Sequence, residues 1–267
     1  MFKDITLGQY FPGNSPVHRL DPRTKLLLMI AYLVAVFLVK DIWLFLPVTA
    51  FVIGATLLSK VPLSYLWRSL KPLKWILVFM FVLNVFMIRT GEPLWDWWVI
   101  HITTGGIRQA CFMTLRLVLL VAGTSLMTLT TTPIALTDGL ERLLNPLSVF
   151  KFPAHELAMM MTIALRFIPT LLEEADKIMK AQLSRGADLE SGNILQRAKA
   201  MVPILVPLFV SAFRRADELA MAMESRCYHG GEGRTRMHVI YFATRDAFAA
   251  AITLGLIALI VAAQAIG

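Results

Sequence analysis

Two short segments of this sequence combine a serine, an arginine and a small residue, and they lie 41 residues apart. Ser184-Arg185-Gly186 is the first segment and Ser225-Arg226-Cys227 is the second. An arginine at a helix C-terminus projects outward when the next residue lets the chain turn away. Its guanidinium can then enter a groove on another protein and meet carboxylates or backbone carbonyls. The alternative for each arginine taken singly is a solvated helix end that complements the helix dipole.

The likeness of the two segments extends into the residues before them. A shift of 41 residues superposes five identities within eleven positions, which place Ala175, Asp176, Ala181, Ser184 and Arg185 on Ala216, Asp217, Ala222, Ser225 and Arg226. Apolar residues recur at three- and four-residue steps before each motif. This pattern predicts amphipathic helices over 157–184 and 201–226, the second beginning near Met201. Two copies of one helix end suit a partner with two equivalent receptor sites.

Patterns that would support catalysis or metal binding are missing from the sequence. No Gly-Lys dipeptide occurs, so the phosphate-binding loop of P-loop ATPases is absent and any ATP must be hydrolysed by another subunit. His155-Glu156 is followed by Met159, where a zinc protease needs its second histidine. Cys111 and Cys227 form neither a disulfide framework nor a metal pair. We expect no enzyme, no metal site and no resident cofactor.

Composition indicates that this chain lies in a membrane. Of its 267 residues, 57% are hydrophobic and 16% are charged, whereas ordinary globular chains carry about 25% charged residues. The chain has more apolar surface than one compact core can hide from water, so lipid must cover part of it. The sequence therefore predicts an all-α polytopic membrane protein.

Five apolar runs predict about five transmembrane helices, at 26–39, 42–58, 75–88, 110–127 and 247–266. Two runs hold 14 residues, short of the roughly 20 that cross a bilayer. Basic residues number four, one, four and two in successive connections, which predicts a cytoplasmic N-terminus and, with an odd number of spans, an external C-terminus. The net charge of +8 thus reflects topology, and no nucleic-acid partner is expected. Trp95, Trp97 and Trp98 are typical of an aromatic belt at the outer interface.

The chain divides into three predicted segments: N-terminal transmembrane helices over 1–132, a cytoplasmic coupling-helix region over 133–246, and a C-terminal transmembrane helix over 247–267. The middle segment is placed in the cytoplasm because it carries fourteen of the 26 basic residues. Its two helices contain a set of methionines, Met159, Met160, Met161, Met221 and Met223. These flexible side chains indicate either ordinary packing or an adaptable surface for partners that vary. Arg116, inside an apolar run, is interpreted as a snorkelling side chain and not as a site.

At these residues the sequence resembles the transmembrane (T) component of energy-coupling-factor transporters. Four segments carry the resemblance, at 18–26, 164–169, 181–188 and 224–228. The likeness extends over nearly the whole chain, and the paired small-Arg-Gly motifs are its most specific mark. The second motif departs from the family pattern because it has Cys227 where glycine is usual.

The resemblance implies that each motif ends a cytoplasmic coupling helix. It assigns Arg185 and Arg226 as contacts to two ABC-type ATPase subunits, which bind ATP and Mg²⁺, with Ser184, Gly186, Ser225 and Cys227 as neighbouring residues. The whole assembly would be an importer in the bacterial plasma membrane for a vitamin or another micronutrient.

A separate membrane subunit, the S component, would capture the substrate, and the five methionines are the expected interface with it. The N-terminal signature and residues 230–236 resemble the type of T component that several exchangeable S components share, more than a scaffold dedicated to biotin or to cobalt and nickel. The alternative from another class is a self-sufficient secondary transporter or a membrane-embedded enzyme. The missing inverted repeats and paired intramembrane carboxylates argue against that alternative.

Overall fold

The computed structural model describes residues 10–88, 90, 92–97, 100–150, 152–187, 193–230 and 241–266. Its contacts divide the chain into two units. We call the described residues of 8–139 and 240–267 the membrane unit and those of 140–239 the arm unit. Each unit is described by itself.

The helices in chain order are α1 (Pro22–Leu38), α2 (Phe45–Ser59), α3 (Leu63–Leu70), α4 (Lys74–Met87), α5 (Thr104–Thr130), α6 (Pro133–Leu144), α7 (Ala154–Ser184), α8 (Ile194–Glu224) and α9 (Thr244–Ile266). Short 3₁₀ segments occupy Ile42–Leu44, Lys71–Leu73 and Asn145–Phe150. Between α4 and α5, strands β1 (Pro93–Trp97) and β2 (Ile100–Thr103) form an antiparallel hairpin. The fold is therefore that of an all-α polytopic membrane protein, as the composition predicts, with one small hairpin added.

All five predicted spans coincide with helical segments. The short run at 75–88 reaches spanning length because the helix continues backwards through α3, giving the segment Leu63–Met87 of 25 residues. Six helical segments of the described chain are long and apolar enough to cross a bilayer, and α7 and α8 are among them by length and composition. Helix α1, with 17 residues, measures about 26 Å, close to the thickness of the hydrocarbon core.

The hairpin was not predicted from the sequence, and neither were the short helices α3 and α6. The backbone groups of the hairpin pair across the two strands, which satisfies them where no helix continues. Trp95 and Trp97 lie in β1, while Trp98 lies outside the described residues. The aromatic belt stays a prediction.

A small apolar core holds the membrane unit together. Tyr32 and Val36 of α1, Phe45 of α2, Leu119 of α5 and Ile260 of α9 are all buried in it. In the candidate spans of this unit at most 28% of the residues are buried within the protein, and large apolar side chains cover the outer faces. Because surfaces of this size are not left in water, the bilayer covers them.

The N-terminal ends of α1 and α9 meet at two buried acidic residues, Asp21 and Asp246. Asp21 caps α1, since its Oδ1 accepts a hydrogen bond from the Arg23 amide at 2.9 Å. The Asp21 amide in turn donates to Asp246 Oδ1 at 2.8 Å, while Asp246 Oδ2 accepts from the Ala243 amide at 2.8 Å. One carboxylate thus caps α9 and ties it to α1, across 225 residues of chain.

A buried lysine, Lys25, bonds to the C-terminal end of helix α5. The Lys25 ammonium donates to the Thr130 carbonyl at 2.8 Å, to Thr131 Oγ1 at 3.2 Å and to the His18 carbonyl at 3.2 Å. A cation at this place complements the negative C-terminal end of α5. The N-terminal segment that carries part of the family resemblance therefore forms a junction between helix ends.

The intramembrane arginine contacts protein at the other end of α1. The Arg116 guanidinium donates to the Val39 carbonyl at 2.5 Å and lies 4.6 Å from the centre of the Phe112 ring. It therefore satisfies a carbonyl that the end of α1 leaves without a helical partner.

Replacing Asp246 by alanine should destabilise the membrane unit. The buried Asp21 amide and the Ala243 amide would lose a charged acceptor, and bonds of this kind contribute about 1.5–3 kcal/mol each. We expect a clearly lower midpoint of thermal unfolding in detergent. Asp41→Ala is the matched control, because its carboxylate is 62% exposed and lies 3.7 Å from Arg108, so the midpoint should hardly move. Equal midpoints for the two variants would contradict the capping role of Asp246.

Candidate functional site

The arm unit contains the two predicted coupling helices, α7 and α8, each of 31 residues. Glu174 of α7 contacts Arg215 of α8, and further along α7 the Gln182 side-chain amide donates to the Pro203 carbonyl at 3.5 Å. Residue numbers thus rise along one helix while they fall along the other. The two helices pack antiparallel.

Helix α8 begins at Ile194 and not near Met201, so the predicted start was seven residues too late. The Asn193 amide donates to Gln196 Oε1 at 3.1 Å, a capping-box contact that starts the helix before its apolar run. The run from Met201 onward is the middle of a longer helix, which continues through Pro203 and Pro207. Helix α7 begins at Ala154 and ends at Ser184, as predicted at its C-terminal end.

The first motif ends α7 in a Schellman turn. The Ala187 amide donates to the Gln182 carbonyl at 3.0 Å, and the Gly186 amide donates to the Leu183 carbonyl at 3.0 Å. Gly186 has a φ of +84°, the left-handed conformation that this turn requires. The final carbonyls of α7 are therefore satisfied by the chain itself, and Arg185 occupies the last position before the turn.

The second motif repeats this turn 41 residues later. The Tyr228 amide donates to the Met223 carbonyl at 3.1 Å, and the Cys227 amide donates to the Glu224 carbonyl at 2.9 Å. Cys227 has a φ of +54°, so it adopts the left-handed conformation without being a glycine. The departure from the family pattern therefore leaves the turn intact, at a conformational cost of about 1–2 kcal/mol.

Both motif arginines are exposed, and within the described part of the chain neither guanidinium forms an ion pair. The neighbouring serines are engaged in their own helices. Ser184 Oγ donates to the Lys180 carbonyl at 2.9 Å, and Ser225 Oγ donates to the Ala222 carbonyl at 3.1 Å. The arginines are thus the groups of each motif that are available to a partner.

The two arginines occupy equivalent places on the arms. Glu174 and Arg215, whose contact we take as the crossing point of the two helices, are themselves 41 residues apart. Each lies eleven positions before the arginine that ends its helix, which is about 16 Å along the axis. The antiparallel arms therefore carry Arg185 and Arg226 to opposite sides of the crossing, at equal distances from it.

The structure separates the five methionines into two groups. Met160, Met161 and Met221 are 54%, 45% and 61% exposed, whereas Met159 and Met223 are half-buried. Beyond the five predicted methionines, α8 carries a second apolar surface, whose exposed members are Met201, Val202, Leu205, Val206, Phe209, Val210 and Phe213. Its signal was the apolar run itself, whose spacing places these side chains along one side of a helix.

No cluster of histidine, cysteine or acidic side chains in the described ranges is arranged to hold a metal ion. His155, singled out by the failed zinc-protease pattern, instead contacts Glu141, with 3.0 Å between Nδ1 and Oε1. Asp188, at the end of the first motif, and residues 231–236 lie outside the described residues.

Comparison with known proteins identifies the family. The model of a family described as cobalt transport protein (CbiQ) matches residues 13–239, which include both motifs. The energy-coupling factor transporter transmembrane protein EcfT of Thermosediminibacter oceani is 57% identical over 256 residues, covering 96% of each chain. The chain belongs to the family of transmembrane (T) components of energy-coupling factor transporters. It is therefore a membrane subunit of a multi-subunit transporter and not itself an enzyme.

Other T components give the same result over nearly their full lengths. EcfT of Acidaminococcus fermentans is 56% identical over 260 residues, with 97% of each chain covered. EcfT of Bacillus subtilis is 50% identical over 246 residues, covering 92% of this chain and 93% of its own.

Exchanging the residue types at the two turns should shift their local stability in opposite directions. Cys227→Gly should slow hydrogen exchange at the 227 and 228 amides about fivefold, because glycine relieves about 1 kcal/mol of left-handed strain. Gly186→Ala should accelerate exchange at the 186 and 187 amides by a similar factor. Cys227→Ala is the matched control, since it removes the thiol and keeps the Cβ, and its exchange rates should stay near those of the original protein. Equal rates for Cys227→Gly and Cys227→Ala would show that the turn is unstrained.

Proposed function

We propose that this T component is the scaffold that couples two ABC-type ATPase subunits to an S component. Arg185 and Arg226 each enter a groove on one ATPase subunit. The observation that carries this proposal is the pair of matching Schellman turns, each of which presents one exposed arginine at the same distance from the helix crossing. Two equivalent ends match two equivalent receptors better than two unrelated surface charges would.

Coupling follows from the shape of the arms. When ATP and Mg²⁺ bind between the ATPase subunits and are later released, the separation of their two grooves changes. Arms anchored at both ends move with them, because each helix keeps its helical backbone throughout, α7 past Pro169 and α8 past Pro203 and Pro207, and shifts as a unit. ATP chemistry belongs wholly to the ATPase subunits, and this chain holds no cofactor. The arms and the N-terminus face the cytoplasm of a bacterial cell, where ATP is available.

The apolar side chains exposed on α7 and α8 contact the S component. Large exposed apolar surfaces mark an interface, and the thioethers of Met160, Met161 and Met221 can repack against different partners. This property favours a scaffold shared by several exchangeable S components, each bringing its own vitamin or micronutrient. The matching family is named for cobalt transport, so a scaffold dedicated to one substrate is the second candidate.

Reversing the charge of either motif arginine should weaken docking. In Arg185→Glu and Arg226→Glu a repelled carboxylate replaces the guanidinium at a desolvated contact, which costs about 2–5 kcal/mol. Each single variant should retain less ATPase in a pull-down and support less ATP-driven uptake, and the double variant should release both ATPase subunits. Arg214→Glu, the same charge change at an exposed position in the middle of α8, should retain both activities.

Two results would contradict this assignment. If both single variants take up substrate and retain ATPase at normal levels, the arginines are solvated helix ends. If the purified chain transports substrate alone, without ATPase subunits in the detergent extract, the self-sufficient transporter is the correct class.

Introducing charge at the exposed methionines should affect the other interface. Met160→Asp combined with Met161→Asp should lower capture of the S component more than it lowers ATPase binding, because two desolvated carboxylates would enter an apolar contact. Met160→Leu with Met161→Leu is the matched control, which keeps the apolar volume and should keep capture. If crosslinks from 159–161 reach only this same chain, these methionines are internal packing, and the apolar surface of α8 becomes the expected interface.

A further inference from the structure

One polar contact joins the two arms at their crossing. Glu174 Oε1 accepts a hydrogen bond from the Ser211 hydroxyl, and Glu174 Oε2 accepts one from the Arg215 guanidinium at 2.8 Å. The acidic and basic side chains are 24% and 36% exposed. Among the described residues this is the only ion pair between α7 and α8. Both carboxylate oxygens are therefore occupied, each by a different side chain of α8.

The contact lies at the centre of the internal duplication. Under the 41-residue shift Glu174 corresponds to Arg215, and these two equivalent positions face each other. In a two-fold arrangement of identical copies, a residue at the axis meets its own equivalent. Two glutamates or two arginines there would repel one another. The duplicated arms carry opposite charges at this position, so that the approach of equivalent positions is attractive.

Apart from the long Gln182–Pro203 hydrogen bond of 3.5 Å, the remainder of the contact between the arms gives little direction. Both helices present apolar stripes, and burial of apolar surface is non-directional. Such stripes can slide or rotate past each other with small changes in buried area. A buried or half-buried polar contact that has only one good geometry can specify register, which is the best-supported role of such groups.

We infer that Glu174, together with Ser211 and Arg215, is a positioning site that sets the crossing of the two arms and thereby the separation of Arg185 and Arg226. This inference rests on the proposed docking of the two arginines. Each arginine lies eleven residues from the site, so a change of about 10° in the direction of one arm moves its end by about 3 Å. A displacement of that size misaligns an arginine with a groove built for it.

The first test measures the separation of the arm ends in the full chain without ATPase subunits. Spin labels are placed at Ser184→Cys and Ser225→Cys in a Cys111→Ser, Cys227→Ser background, in lipid nanodiscs, and their distance distribution is recorded. Glu174→Gln and Arg215→Gln should shift the mean by about 3 Å or double the width of the distribution. The matched controls are the exposed neighbours, Glu173→Gln and Arg214→Gln, which should leave it unchanged.

Rescue distinguishes positioning from a general loss of stability. The double variant Glu174→Arg with Arg215→Glu restores an ion pair of reversed sense, and it should recover the narrow distribution at the original distance. In the assembled transporter, Glu174→Gln should lower the amount of substrate carried per ATP hydrolysed several-fold, and a pull-down should retain less ATPase because misaligned arginines dock less well. The same double variant should recover this ratio.

An unchanged distance distribution in both Glu174→Gln and Arg215→Gln would overturn the inference, and so would failure of the reversed pair to restore the distance. Failure of the docking proposal is seen separately. In that case Arg185→Glu and Arg226→Glu retain ATPase binding, whereas the distance between the labelled arm ends does not depend on the ATPase subunits.

Discussion

A single carboxylate, that of Glu174, holds a hydroxyl and a guanidinium of the neighbouring helix, and the directions of both arms depend on this contact. The apolar stripes of α7 and α8 supply attraction, but they do not select one crossing among many. Directional bonds at the crossing make that selection. Because Arg185 and Arg226 each lie eleven residues beyond it, this one local contact determines where both arginines lie.

The C-terminal ends of α7 and α8 depend on backbone hydrogen bonds more than on side chains. A helix C-terminus leaves its last carbonyls without helical partners. In each motif a Schellman turn supplies amide donors to these carbonyls. Since the turn and the serine hydroxyls satisfy those groups internally, the ends need no protein around them and their arginines stay exposed. At Cys227 the turn holds a residue that has a Cβ in the left-handed region, so the bonds of the turn outweigh the strain.

In the membrane unit, polar contacts matter more relative to internal apolar packing. Lipid covers most of its apolar side chains, so its internal apolar core is small. Specific contacts at helix ends therefore fix much of the arrangement of its helices. Asp21 and Asp246 make these contacts at two N-termini, and Lys25 and Arg116 make them at two C-termini. In hydrocarbon or near it, leaving such groups without partners is costly. Polar residues in an apolar chain consequently serve as the connections between helices.

Local patterns in the sequence were enough to predict that the chain lies in a membrane, where most helices lie and where α7 and α8 end. Apolar runs, helical periodicity and the repeated motif are properties of neighbouring residues, and they placed the spans, the C-terminal ends of α7 and α8 and both arginines. The 41-residue repeat makes Glu174 and Arg215 equivalent positions, but the sequence did not show that these two residues are in contact. Sequence reasoning placed the start of α8 seven residues late, because a capping contact and not apolarity begins the helix.

Only the tertiary structure decided which distant groups meet. The contacts of Asp21 with Asp246, of Arg116 with the Val39 carbonyl and of Glu174 with Arg215 join positions 225, 77 and 41 residues apart. A periodic pattern of apolar residues indicates that a helix has an apolar side. It does not indicate which helix packs there, in which direction or in which register. Those are settled by the simultaneous fit of several helices, and the exposure of the apolar surface on α8 follows from that fit alone.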